Sequence, residues 1–181
     1  MDVQEARTIF SADRVQQMLK DLAQAVFTRH PDPGDLALVG IRTGGAHLAS
    51  RLRGHLAALY GRAPDTGVMD ITLYRDDWTR LHSRPKVGKT EIDFPIDGRV
   101  VVLVDDVIYT GRTTRAALDA LIDFGRPRRI ELLALIDRGQ RELPIQPDYV
   151  GARVAPQPGQ VIDVVLDELG ASEDAVVSRP A

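Results

Sequence analysis

Val101-Val-Leu-Val-Asp-Asp-Val-Ile-Tyr-Thr-Gly-Arg-Thr-Thr114 is an apolar, β-branched run that passes into two acids and then into a threonine- and glycine-rich loop. Residues 99–104 predict a strand and residues 113–124 a helix, so the acids and the loop fall on one strand-to-helix turn. In open parallel sheets, ligands bind beyond the carboxyl ends of the strands, where Asp105 and Asp106 fall. Their carboxylates accept hydrogen bonds from sugar hydroxyls. Thr110, Gly111, Arg112, Thr113 and Thr114 bring hydroxyls, a glycine that lets backbone N–H groups approach closely, and a cation to a helix N-terminus, a combination suited to a phosphate dianion. The Lys-Ser/Thr ending of a nucleotide P-loop is missing, which argues against a kinase or ATPase. Either piece alone more often just ends a buried strand or caps a helix; together at one turn they point to a ligand site.

Working outward, Val15, Met18, Leu19, Leu22 and Val26 recur at three- and four-residue spacing behind Ser11, and predict an amphipathic helix over 12–28. Leu36-Ala-Leu-Val-Gly-Ile41 reads as a strand covered on both faces, followed by a helix over about 45–59. Further strands are expected at 68–74, 130–136 and 161–166. The alternation of strands and helices predicts an α/β domain with a mostly parallel central sheet flanked by helices. Residues 75–98 are polar and long for a connection, and form a candidate lid; residues 171–181 read as a frayed tail.

A chain of 181 residues fits one domain, here 1–181, and 44% hydrophobic with 27% charged residues is a globular composition. The absence of cysteine removes disulfides, thiolate nucleophiles and cysteine-bound zinc, and suits a reducing cytoplasm. No apolar run approaches the roughly 20 residues of a membrane helix, so no membrane partner is expected. A net charge of −3 means that any RNA contact needs a local basic face. His30, His47, His55 and His82 show no metal-ligand spacing and read as structural or surface residues, and Trp78 falls in the lid candidate.

The Asp105–Thr114 segment resembles the binding signature for phosphoribosyl pyrophosphate (PRPP) of type I phosphoribosyltransferases. More of the chain is similar to the PyrR family: Val39-Gly-Ile-Arg-Thr-Gly-Gly45, Asp70-Ile-Thr-Leu-Tyr-Arg-Asp-Asp77, Asp119-Ala-Leu-Ile-Asp-Phe-Gly-Arg-Pro127 and Asp137-Arg-Gly-Gln-Arg-Glu-Leu-Pro-Ile145. The likeness spans roughly residues 10–168. It implies the type I fold with a small hood and a flexible lid, and transfer of uracil to PRPP, giving UMP and pyrophosphate. It also implies that Asp105 and Asp106 hold the ribose hydroxyls, that Thr110 through Thr113 wrap the 5-phosphate, and that Arg42, Thr43, Gly44 and Gly45 approach the pyrophosphate. Arg75 would move over the leaving group, and Ile136 and Asp137 would contact the base, partly through backbone groups. Mg²⁺ would arrive with PRPP rather than sit in a protein cage. A homodimer or larger assembly is expected on the same ground.

The chain also departs from that pattern. Gly44 stands where an arginine is common in the pyrophosphate loop. PyrR members in many bacteria bind pyr-operon messenger RNA, yet Leu19-Lys20-Asp21-Leu22-Ala23-Gln24 lacks the arginine and histidine often found there, and Gln140, Gln146 and Ala152 replace cations. Arg128, Arg129, Arg138, Arg141 and Arg153 remain. Two other readings stay open at this point: a nucleotide-sensing RNA attenuator without catalysis, and a phosphoribosyltransferase for a purine such as hypoxanthine or xanthine.

Overall fold

A computed structural model describes residues 6–76 and 88–181. Asp77, Trp78, His82 and the middle of the lid candidate lie outside the described residues. In chain order the elements are β1 (Arg7–Phe10), α1 (Ala12–Arg29), β2 (Leu36–Ile41), α2 (Gly44–Tyr60), β3 (Asp65–Met69), β4 (Val100–Ile108), α3 (Arg112–Ile122), β5 (Arg129–Asp137), β6 (Tyr149–Arg153), β7 (Gln160–Val165) and β8 (Ala175–Pro180).

The central sheet has five strands in the order β3-β2-β4-β5-β6, all parallel. Its middle strands have no polar face because both faces are covered: every residue of Leu36–Ile41 is buried, as are Val100–Val104. On one face, Leu38, Val102 and Val104 pack with Leu19 and Leu22 of α1 and Leu48 and Leu52 of α2. On the other, Val39, Val101 and Leu103 pack with Ala116, Ala117, Ala120 and Leu121 of α3. Gly40 and Gly45 set how closely α2 approaches the sheet. A Cβ on Gly40 would stand 2.5 Å from the Gly45 carbonyl oxygen and 2.6 Å from Ala46 Cα, and one on Gly45 would strike the carbonyl of Val104.

A separate three-stranded antiparallel sheet, β1-β8-β7, forms the hood. Its Ile162, Val164 and Val176 join the same core as α1 and α2. The tail expected to fray is therefore strand β8, fixed by pairing with β1 and β7 and by the full burial of Val176. Strands β1 and β6 are short edge elements with weak alternation, which is why periodicity passed over them.

Two other expectations change. The strand placed at 68–74 is β3, ending at Met69; beyond it the Asp70 carboxylate accepts from the Thr72 N–H at 2.7 Å and turns the chain into a 3-10 turn, Thr72–Tyr74. The later part of the lid candidate is packed: Glu91 bridges Val68, and Ile96 is fully buried. His30 has the structural role expected of it, with Nε2 2.8 Å from the buried Glu131.

Candidate active site

Strand β4 outruns its neighbour. It pairs with β2 only as far as Val104, but with β5 as far as Ile108. From Asp105 onward its β2 side is open, at the point where the connections diverge: β2 leads through α2 to β3 on one side, and β4 through α3 to β5 on the other. A ligand crevice belongs at such a switch point.

Two adjoining clefts fill it. One, of about 310 Å³, is lined by Arg75, Asp105, Val107, Tyr109 and the loop Thr110 through Thr114. The other, of about 440 Å³, is lined by Arg42, Thr43, Asp70, Arg75, Asp105 and Asp106. Arg75, Asp105, Val107 and Thr113 border both, so Asp105 stands between the cup formed by Thr110 through Thr114 and the Arg42–Thr43 loop. Gly111 enters α3 at φ 92°, a conformation that favours glycine and turns the loop into the helix. The Arg42–Thr43 peptide is cis, and Arg42 Nε donates to the Lys89 carbonyl at 3.1 Å.

The acids are held under electrostatic load. Asp105 is 5% exposed; its Oδ1 accepts from the Asp106 N–H at 3.0 Å, while its Oδ2 is buried with no hydrogen-bond partner among the described residues. Thr114 Oγ1, at the foot of the cup, is likewise buried and unpartnered. Native proteins seldom leave such atoms unpaired. Burial, and then the charge of Asp106, push the Asp105 carboxyl well above the usual range. Asp106 is also raised by burial and, from the hood, by the charge of Asp163, although its bond from the Val107 N–H at 2.7 Å opposes the shift. A sugar hydroxyl or a cation at this pair would relieve that load.

Asp105, Asp106, Arg75, Arg42, Thr43 and Thr110 through Thr114 thus converge. Gly44 and Gly45 are buried in the first turn of α2, and a Cβ on Gly44 would strike the Asp106 carboxylate, so the second acid uses the space that a side chain at residue 44 would take. The Arg112 side chain donates to Asp76 at 2.6 Å and to Glu142 at 2.8 Å, and its backbone N–H donates to Thr110 Oγ1 at 3.3 Å. Ile136 and Asp137, expected at the base partly through backbone groups, are not among the residues lining these two clefts. Ile136 is fully buried in the core, and Asp137 accepts from Arg141 at 2.8 Å and from the Gly139 N–H at 2.9 Å.

Asp70, Val107 and Tyr109 were not singled out from sequence. Val107 and Tyr109 lie inside the decisive stretch, alternating with the apolar positions of β4; Asp70 carried a local signal in the Asp70-Ile-Thr72 turn. The Arg138 guanidinium stacks 3.8 Å from the Tyr109 ring centroid, joining the ends of β4 and β5.

Residues 7–168 match the family model described as phosphoribosyl transferase domain. The chain is 47% identical over 181 residues to the bifunctional protein PyrR of Desulfosudis oleivorans, covering 99% of this chain and 100% of that protein. It is also 47% identical over 168 residues to the bifunctional protein PyrR of Thermus thermophilus, covering 93% and 92%. Among solved structures it superposes on the hypoxanthine phosphoribosyltransferase of Trypanosoma cruzi in complex with IMP with a TM-score of 0.72 at 18% identity, over 99% and 93% of the two chains, a likeness of fold. With the family model matched over residues 7–168 and 47% identity to a PyrR protein over nearly the whole chain, the chain belongs to the PyrR family of type I phosphoribosyltransferases.

Proposed function

We propose that the chain joins uracil to the phosphoribosyl group of PRPP, giving UMP and pyrophosphate. The observation that carries this reading is the unpartnered, buried Asp105 Oδ2 beside Asp106, set between the Thr110–Thr114 cup and the Arg42–Thr43 loop. In this scheme the cup takes the 5-phosphate, the acids take the ribose hydroxyls, and the 42–45 loop with Arg75 takes the pyrophosphate. The bond from the anomeric carbon to pyrophosphate breaks, the bond to uracil N1 forms, and the N1 proton passes to solvent or to the leaving group. The transition state has oxocarbenium character, so the site acts by charge stabilisation and by position.

Two carboxylates that border a cleft, rather than a closed cage, fit Mg²⁺ that keeps water and substrate phosphates as most of its ligands. Bound there, the ion would supply charge neutralisation for pyrophosphate. The acidic trio within metal-ligand distance among the described residues, Asp167, Glu168 and Asp174, lies in the hood and already surrounds a guanidinium.

For uracil over a purine, the support is the likeness of the Asp70–Asp77 and Asp137–Ile145 stretches to the PyrR pattern. Uracil-dependent release of pyrophosphate from PRPP, with hypoxanthine and xanthine run alongside, tests it; release with a purine and none with uracil would overturn it. We also infer that messenger RNA is bound weakly. The arginines left for a basic face are divided between the two ends of β5: Arg128 and Arg129 at one, Arg138, Arg141 and Arg153 at the other, about 30 Å apart along the strand. Arg128 pairs with Asp35, Arg129 with Glu131 and Arg141 with Asp137. A dimer or larger assembly is carried over from the family resemblance.

A further inference from the structure

Arg51 lies seven residues past Gly44, two turns into the helix that begins at the pyrophosphate loop, about 10 Å along its axis. Its side chain is 16% exposed and reaches three carboxylates on the connection from β7 to β8. Nε donates to Glu168 Oε1 at 2.8 Å; Nη2 reaches Glu168 Oε2 at 2.6 Å, Asp167 Oδ1 at 2.7 Å and Asp174 Oδ1 at 3.0 Å; Nη1 bonds the other oxygen of Asp174. Gln16 of α1 donates to Asp174 at 3.2 Å, and the Asp167 N–H donates to it at 3.1 Å. Three acids whose oxygens gather within 4.8 Å would repel one another without a cation at their centre. Arg51 holds Glu168 at about 2, below the ordinary carboxylate range, and lowers Asp174 as well.

We propose that Arg51 is a positioning residue, a clamp that fixes the hood against the pyrophosphate-loop helix and thereby sets the room left for the base. The proposal rests on the phosphoribosyl-transfer reading above. With the acids at the ribose hydroxyls, the cup at the 5-phosphate and the 42–45 loop at the leaving group, the side left for a base is the one toward the hood, next to Val107, which borders both clefts. There, Val107 packs into the core that holds Ile162 and Val164 of β7, and the charge of Asp163 is felt at Asp106. The clamp joins the two walls of that space while touching neither cleft. A bidentate Arg network anchored on the buried Asp174 holds geometry far better than an exposed pair.

The test separates the base from the sugar phosphate by titrating the full chain with UMP and with ribose 5-phosphate. Arg51→Gln is expected to weaken UMP about tenfold while ribose 5-phosphate changes by less than about twofold, with Arg51→Lys between the parent and Gln. Equal weakening of both ligands, or no change in either, would overturn the clamp. Should Arg51→Gln fail to fold, Glu168→Gln carries the same expectation, and an unchanged UMP affinity there would also overturn it. A parent chain that binds UMP no tighter than ribose 5-phosphate removes the base from the hood and overturns the proposal. A parent chain that binds UMP yet forms none from uracil and PRPP sinks the turnover reading and leaves the clamp standing.

Discussion

At the scale of single residues, Asp105 and Asp106 are bought at a cost in stability. Both carboxyls are raised in the folded chain, so their contribution is full below the unfolded value of 3.8 and is lost as pH rises through the folded values. Asp105→Asn with Asp106→Asn is therefore expected to melt above the parent near neutral pH and to lose that advantage at about pH 4 and below, while turnover falls by roughly 10²–10³-fold or more. A double variant that melts lower at neutral pH, or that keeps its turnover, contradicts the roles given to the pair. The acids were legible because two of them follow an apolar strand and precede a phosphate-suited loop. Arg112 was legible only as a cation: its partners, Asp76 and Glu142, stand 36 and 30 residues away in sequence, and nothing local announces them.

At the scale of elements, the site depends on how closely α2 sits on the sheet. Gly40→Ala puts a methyl group against the Gly45 carbonyl and Ala46 Cα, both backbone atoms that yield only if the helix moves. A loss of about 1–3 kcal/mol is expected in denaturant unfolding, and an unchanged midpoint would mean that the contact is not tight. The C-terminal strand makes a second case. A chain ended at Asp174 loses Val176 from the core and both pairings of β8, leaving β1 and β7 without their shared neighbour. It is expected to lose its cooperative melt, which calorimetry reads directly; a melt like that of the full chain would restore the frayed tail. The long elements were visible in the sequence because burial imposes a period on them, as in Val15, Met18, Leu19, Leu22 and Val26. β1 and β6 were not, since strands of four and five residues at sheet edges carry too few alternating positions to register.

At the scale of the whole molecule, charge argues for an enzyme more than for an RNA-binding surface. The chain carries −3 overall, and its arginines are largely consumed by internal pairs at opposite ends of the sheet. Filter binding to a pyr leader hairpin with UMP present is expected to be weak and to vary little with salt, because few phosphates are neutralised. A tight complex that loosens steeply with salt would restore the regulatory half. The described helices include none long and apolar enough to cross a membrane. Base choice was the least legible property, since backbone contacts leave little trace in sequence, and the side chains of Ile136 and Asp137 are held by the core and by Arg141.

The most direct measurement is formation of labelled UMP from radiolabelled uracil, PRPP and Mg²⁺ by the unmodified chain. Sustained UMP synthesis that stops when PRPP is withheld is the expected result. No UMP from a chain that binds both PRPP and UMP would contradict the assignment of the Asp105–Thr114 site to uracil transfer.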